Sequence, residues 1–118
     1  MDRDAVFARL CLITQDDRTA LLETLATDAV RAVEQRLTCT PETALQNADA
    51  LAAVAAAMAA YQLALLDAAG APDSLTAGNV RAEYKNNCAR AFDYYRACTR
   101  AVSGLLSDDS FYFGGVRS

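Results

Sequence analysis

The groups able to do chemistry in this chain are few and scattered. Four cysteines, Cys11, Cys39, Cys88 and Cys98, stand alone with no C-x-x-C pair, and there is no histidine. Without an imidazole neither a Ser-His-Asp nor a Cys-His device can be built. A Ser-Lys device would have to use Lys85, the single lysine, and no local sequence frames a nucleophile beside it. Zinc takes a tetrahedral ligand set, usually supplied as close sequence pairs, and that spacing is missing. The doublets Asp16-Asp17 and Asp108-Asp109 offer carboxylate oxygens, but adjacent acids at helix starts and ends more often serve as caps or solvated turns. Gly114-Gly115 has neither the Walker pattern nor a following helix, so it is no phosphate loop. The expectation is a protein that is not an enzyme, with no cofactor and no metal site. Its cysteines read as small buried thiols in a reducing cytoplasm, since a secreted disulfide scaffold has denser spacing and a signal peptide.

One site-like feature survives, the C-terminal run Phe111-Tyr112-Phe113-Gly114-Gly115-Val116. Three consecutive aromatics beyond the last helical residue have no helix face to share, so they need a groove on their own domain or on a partner. Such a segment can bind as an added strand or as anchors in pockets, and aromatics are enriched among interface anchors. Binding in trans and folding back over the chain's own core both remain open. A base-stacking platform is poorly supported, because no basic residues surround the triplet.

The elements that must position this tail are helical. At 118 residues the chain is one domain of ordinary size, expected as a bundle over 1–107 and a tail over 108–118. A short helix is expected over 3–12, with Val6, Phe7 and Leu10 on one side. Thr14-Gln15-Asp16-Asp17 has the form of a capping box. A second helix then runs to about Leu37 on a stripe of Leu22, Leu25, Ala29, Val33 and Leu37. Thr40 and Pro41 read as N-cap and first residue of a third helix. This helix is expected to continue unbroken to Ala69 and end at Gly70 and Pro72, a rod on the order of 40 Å. Nine of the thirteen residues from Ala48 to Ala60 are alanine, which suits a central helix touched on many faces, by its own bundle or partly by another subunit. Gln62 and Asp67 interrupt the longest apolar run, which is read as too short for the roughly 20 residues of a membrane span.

Leu75, Gly78, Asn79 and Val80 belong to a stretch with no helical period, compatible with a turn or an extended arm. A last helix is expected from about Ala82 to Leu106 on the stripe Tyr84, Cys88, Ala91, Tyr95, Cys98, Val102 and Leu105. The fold class is therefore all-α, a small bundle of about four helices with an extended arm before the last one and an aromatic tail. Charge is uneven. Residues 1–79 carry five arginines against eleven acids, a net of −6, and residues 80–118 carry six basic residues against four acids, a net of +2. Such a dipole favours head-to-tail association, although solvated helix faces give the same balance. A total of −4 disfavours a generic nucleic-acid binder.

Three segments in order resemble small phage and prophage proteins of the head–tail connector (adaptor) family. They are the short first helix with Thr14-Gln-Asp-Asp and the amphipathic helix ending Val33-Glu-Gln-Arg-Leu37, the alanine-rich helix leading to Asp73-Ser-Leu-Thr-Ala-Gly-Asn-Val80, and the exit Leu105-Leu-Ser-Asp-Asp-Ser-Phe-Tyr-Phe-Gly-Gly-Val116. The likeness covers nearly the whole chain, though the Ala48–Ala60 stretch is richer in alanine than expected of the family. The resemblance implies a small helical protein that forms a homo-oligomeric ring on the portal protein, extends the DNA channel and docks a tail or neck completion protein. DNA would be channel cargo only and no membrane would be involved. The protein would be made in the bacterial host cytoplasm and end in the virion. Phe111, Tyr112, Phe113 and Val116 would contact the portal, and Leu75, Gly78, Asn79 and Val80 would form an arm to a neighbouring subunit. The alternatives are a small helical nucleic-acid-binding or regulatory protein using Arg81, Lys85, Arg90, Arg96 and Arg100, or another virion assembly factor of the small-terminase-like or tail-completion kind.

Overall fold

The computed structural model describes residues 1–70 and 78–107, which form five helices and no strand. These are α1 (Arg3–Thr14), α2 (Thr19–Arg36), α3 (Pro41–Gln46), α4 (Ala48–Gly70) and α5 (Gly78–Ala101). The all-α expectation holds, with one more helix than the sequence suggested.

The extra helix arises at Asn47, where the expected 41–69 rod breaks. Its backbone leaves helical geometry at φ −111° and ψ 24°, and its side-chain amide donates to the Thr43 carbonyl at 2.9 Å. An asparagine side chain that competes for the backbone in this way is a recurrent helix terminator. The start of α3 is as expected: Thr40 Oγ1 accepts from the Thr43 amide at 3.2 Å, and Pro41 occupies the first turn.

α4 is the hub, with α1, α2, α3 and α5 all packed against it. Val54 to Ala60 are seven consecutive buried residues. At about 100° of rotation per residue such a run covers every face of a helix. The alanines explain how this is possible: with only a methyl group at Ala55, Ala56, Ala57 and Ala59, all fully buried, neighbouring backbones approach closely on all sides. Bulk comes instead from Val6 and Leu10 of α1, Leu22, Leu25 and Val33 of α2, and Leu51, Val54 and Met58 of α4. The alanine-rich stretch is thus accounted for within one subunit.

By length and composition α4 is apolar enough to cross a membrane, despite Gln62 and Asp67, which corrects the sequence reading. Just over half of its most apolar window, 56%, is buried inside the protein, and a core helix passes the same test.

Helix directions follow from which ends meet. The starts of α1 and α4 line one groove, and the end of α1 meets the second half of α4 at another cleft, so these two helices run parallel. α2 runs back between the two ends. α5 is antiparallel to α4, because Cys88 meets Ala64 and Phe92 meets Tyr61. The long helices therefore alternate up, down, up, down.

Candidate functional site

Each end of this bundle carries a concavity, and the two differ in chemistry. At the end where α1 finishes, a cleft of about 430 Å³ is lined by Ile13, Asp16, Asp67, Tyr84, Arg90 and Tyr94, among others. Its wall is fixed by Arg18. The guanidinium contacts Asp16 through Nε at 2.9 Å and Nη2 at 2.6 Å. It also reaches Asp67 on α4 through Nη1 at 2.8 Å and Nη2 at 3.0 Å. Such paired N–H···O contacts are the geometrically most demanding form of charge-assisted hydrogen bond. The hydrogen bonds from Arg18 hold the Asp16 carboxyl well below the usual carboxylate range, down to about 2, and the same partners push Arg18 further up.

The expected capping box is not formed here. Thr14 ends α1, where its hydroxyl donates to the Leu10 carbonyl at 2.9 Å. Arg18 is the residue before α2 and makes no side-chain cap. Asp16 Oδ1 accepts from the Arg18 amide at 2.8 Å, so Asp16 organises the connection and the ion-pair wall rather than a cap. Gln15 turns the chain through the left-handed region at φ 50°, which closes α1 and brings Asp16 towards Arg18.

Along the α4–α5 contact, the Cys88 thiol donates to the Ala64 carbonyl at 3.4 Å. Burial, with Asp67 nearby, pushes that thiol up. Burial and the adjacent Cys98 likewise push up the Tyr94 phenol, against an opposing pull from Arg9. None of these groups is a poised nucleophile: a raised thiol carries less thiolate at neutral pH. All four cysteines are free and half-buried, more accessible than the buried thiols expected. Among the described residues no three of Cys, Asp and Glu converge as a metal-ligand set.

The other end is apolar. A groove of about 640 Å³ lies among Met1, Ala5, Leu37, Ala44, Leu45 and Leu51, with Cys39 also on its lining. Small side chains make it concave, and Leu45 stands on its lining at 77% exposure. The chain leaves the described region beside this groove. Leu106 forms an isolated antiparallel bridge with Leu37, Thr38 N donates to Leu105 O at 2.9 Å, and Ser107 N donates to Arg36 O at 3.0 Å. Sequence reasoning missed this bridge, since α5 was expected to remain helical to Leu106. α5 in fact ends at Ala101, and residues 102–105 turn so that Val102 and Leu106 are buried.

Of the residues singled out for partner contact, Phe111, Tyr112, Phe113, Val116 and Leu75 lie outside the described residues. Gly78, Asn79 and Val80 are not an extended arm; they form the first turn of α5. The basic residues Lys85, Arg90, Arg96 and Arg100 are exposed on α5, interleaved with exposed Glu83 and Asp93. Arg96 sits 5.7 Å from the centroid of the Phe92 ring. Set against known protein families, curated proteins and solved structures, the chain matches none of them.

Proposed function

We propose that the chain is a structural head–tail connector (adaptor) protein of a phage or prophage, a subunit of a ring that sits on the portal and receives the tail or neck component. The observation that carries this reading is the placement of exposed apolar side chains at opposite ends of the bundle. Leu12 at 77% and Leu66 at 52% lie towards the end where α1 and α4 finish, and Leu45 at 77% lies towards the other. A subunit joining two different components, and its own copies, needs separate contact surfaces of this kind. The net charge of −4 suits a channel that must not grip the DNA passing through it. The sequence likeness described above supplies the identity of the partners.

Co-sedimentation with a portal ring from the same genome tests the reading, using wild type and a Phe111→Ala/Phe113→Ala variant. Saturable binding by the wild type is expected, with each aromatic contributing about 1–3 kcal/mol. Absence of wild-type binding would reject the connector assignment. Equal binding by both proteins would keep the assignment and remove the tail from the contact. Oligomeric state without the portal does not decide the matter, because rings of this kind can require the portal as template.

A further inference from the structure

The geometry points to a second role for the C-terminal segment: in the free protein, residues 108–118 dock into the apolar groove at the α3 end of their own chain. The argument starts from where the described chain stops. Ser107 is tied to Arg36 at 3.0 Å, and the preceding residue is bridged to Leu37, which lines the groove. The segment therefore begins at the edge of the groove. An extended residue covers at most about 3.3–3.6 Å, so Phe111 reaches roughly 14 Å from Ser107 and Phe113 roughly 21 Å.

That reach selects between the two concavities. At about 1.5 Å per residue, the near edge of the other cleft, at Ala60, lies roughly 18 Å along α4 from Ala48, and its Asp67 wall roughly 28 Å. Phe111 falls short of that cleft altogether, so only the α3-end groove can take both rings. The α3-end groove is near, and its lining is suited to rings. Ala5, Ala44, Ala48 and Ala52 leave room between the bulkier Leu37 and Leu51. In an extended segment residues 111 and 113 share one side, so both phenylalanines can enter while the Tyr112 hydroxyl stays in water. The placement rests on reach and apolar fit rather than on charge: the groove carries Asp2 and Asp49, and the segment carries Asp108 and Asp109 against the single base Arg117.

Docking in cis and insertion into a portal are mutually exclusive uses of the same rings. In the connector reading, the portal would have to displace the segment from its groove. The docking itself does not rest on that reading, since groove, exit point and aromatics all belong to this chain.

Two measurements on the full-length protein test it. Cys39 lines the groove, so its alkylation rate, followed by peptide mass spectrometry, reports the groove's cover. Wild type is expected to react at Cys39 about tenfold more slowly than Phe111→Ser/Phe113→Ser, with Cys88 at the α4–α5 contact unchanged as internal reference. Equal Cys39 rates would overturn the proposal. So would protection that disappears on dilution, which would assign the groove to the tail of a second copy. From the other side of the contact, Leu45→Asp alters an exposed residue and should leave the helical signal intact. Chymotryptic cutting between residues 111 and 113 should be about tenfold faster in this variant than in wild type, and an unchanged rate would count against the groove as the site.

Discussion

Arg18 and Asp67, 49 residues apart in the chain, are joined by two hydrogen bonds of 2.8 and 3.0 Å. This pairing ties the start of α2 to the last turns of α4. It works together with Asp16, whose two oxygens take the remaining face of the same guanidinium. One residue outside any helix thereby fixes the register of two of them.

Acid should loosen this junction in a defined window. The Asp16 carboxyl titrates at about 2 in the folded protein against an ordinary 3.8. The folded form therefore binds its proton less readily than the unfolded chain. Its contribution is fully present above about pH 4 and is lost as the pH falls towards 2. Thermal melts from pH 5 to pH 2 should show a smaller acid-induced drop in Tm for Asp16→Asn than for wild type. Parallel curves would mean that the ion pair is solvated away in solution.

The buried alanines should not tolerate bulk. Ala56 is fully buried, so Ala56→Leu inserts three carbons where neighbouring helices already touch. A loss of about 1–3 kcal/mol is expected from such overpacking, measured by urea denaturation. Ala53 is only partly buried, and Ala53→Leu should cost clearly less. Similar losses at both positions would contradict the close approach around Ala56.

Cys88 should be the slower thiol. Burial and Asp67 push its pKa up, which lowers the thiolate fraction at any pH below that value. Raising the pH from 7 to 9 should therefore accelerate its labelling by 5,5′-dithiobis(2-nitrobenzoate) without bringing it to the rate of a free thiol. Substituting Asp67 by Asn removes the nearby negative charge and should raise the Cys88 rate at pH 8. A rate equal to that of free cysteine in the wild type would show that the Ala64 contact opens readily.

Much of the helical framework was legible from local signals. Thr40-Pro41 marked a helix start because an oxygen acceptor followed by a residue lacking an amide proton meets the needs of a first turn. The stripe through Leu22, Leu25, Ala29 and Val33 marked a buried face, and all four are buried, whereas Leu37, the fifth residue of the expected stripe, lies just past the end of α2 and is half-buried. The misses share a cause: each residue had two structural uses and the sequence could not rank them. Thr14 could cap the next helix or close its own, and it closes its own. Asn47 could ride within a helix or bond back to Thr43, and it bonds back. Gly78-Asn79 could turn or begin a helix, and the helical pattern downstream prevailed. The ion-pair wall was invisible because Arg18 and Asp67 meet only after α4 has returned along α2. The groove at the α3 end depends on the same long-range closure, through Leu37 and Leu106.

The parallel course of α1 and α4 also governs how the molecule can be handled. Met1 lies within 3.1 Å of Glu34 through its amine, and Ser107 lies against Arg36, so residues 1 and 107 leave from neighbouring points on the last turn of α2. A fusion at residue 1 or an insertion at residue 107 would therefore crowd the same rim. A fluorophore or gold label meant to report orientation without touching that rim belongs on the opposite pole, for instance at the exposed Gln15, where the polypeptide merely reverses direction.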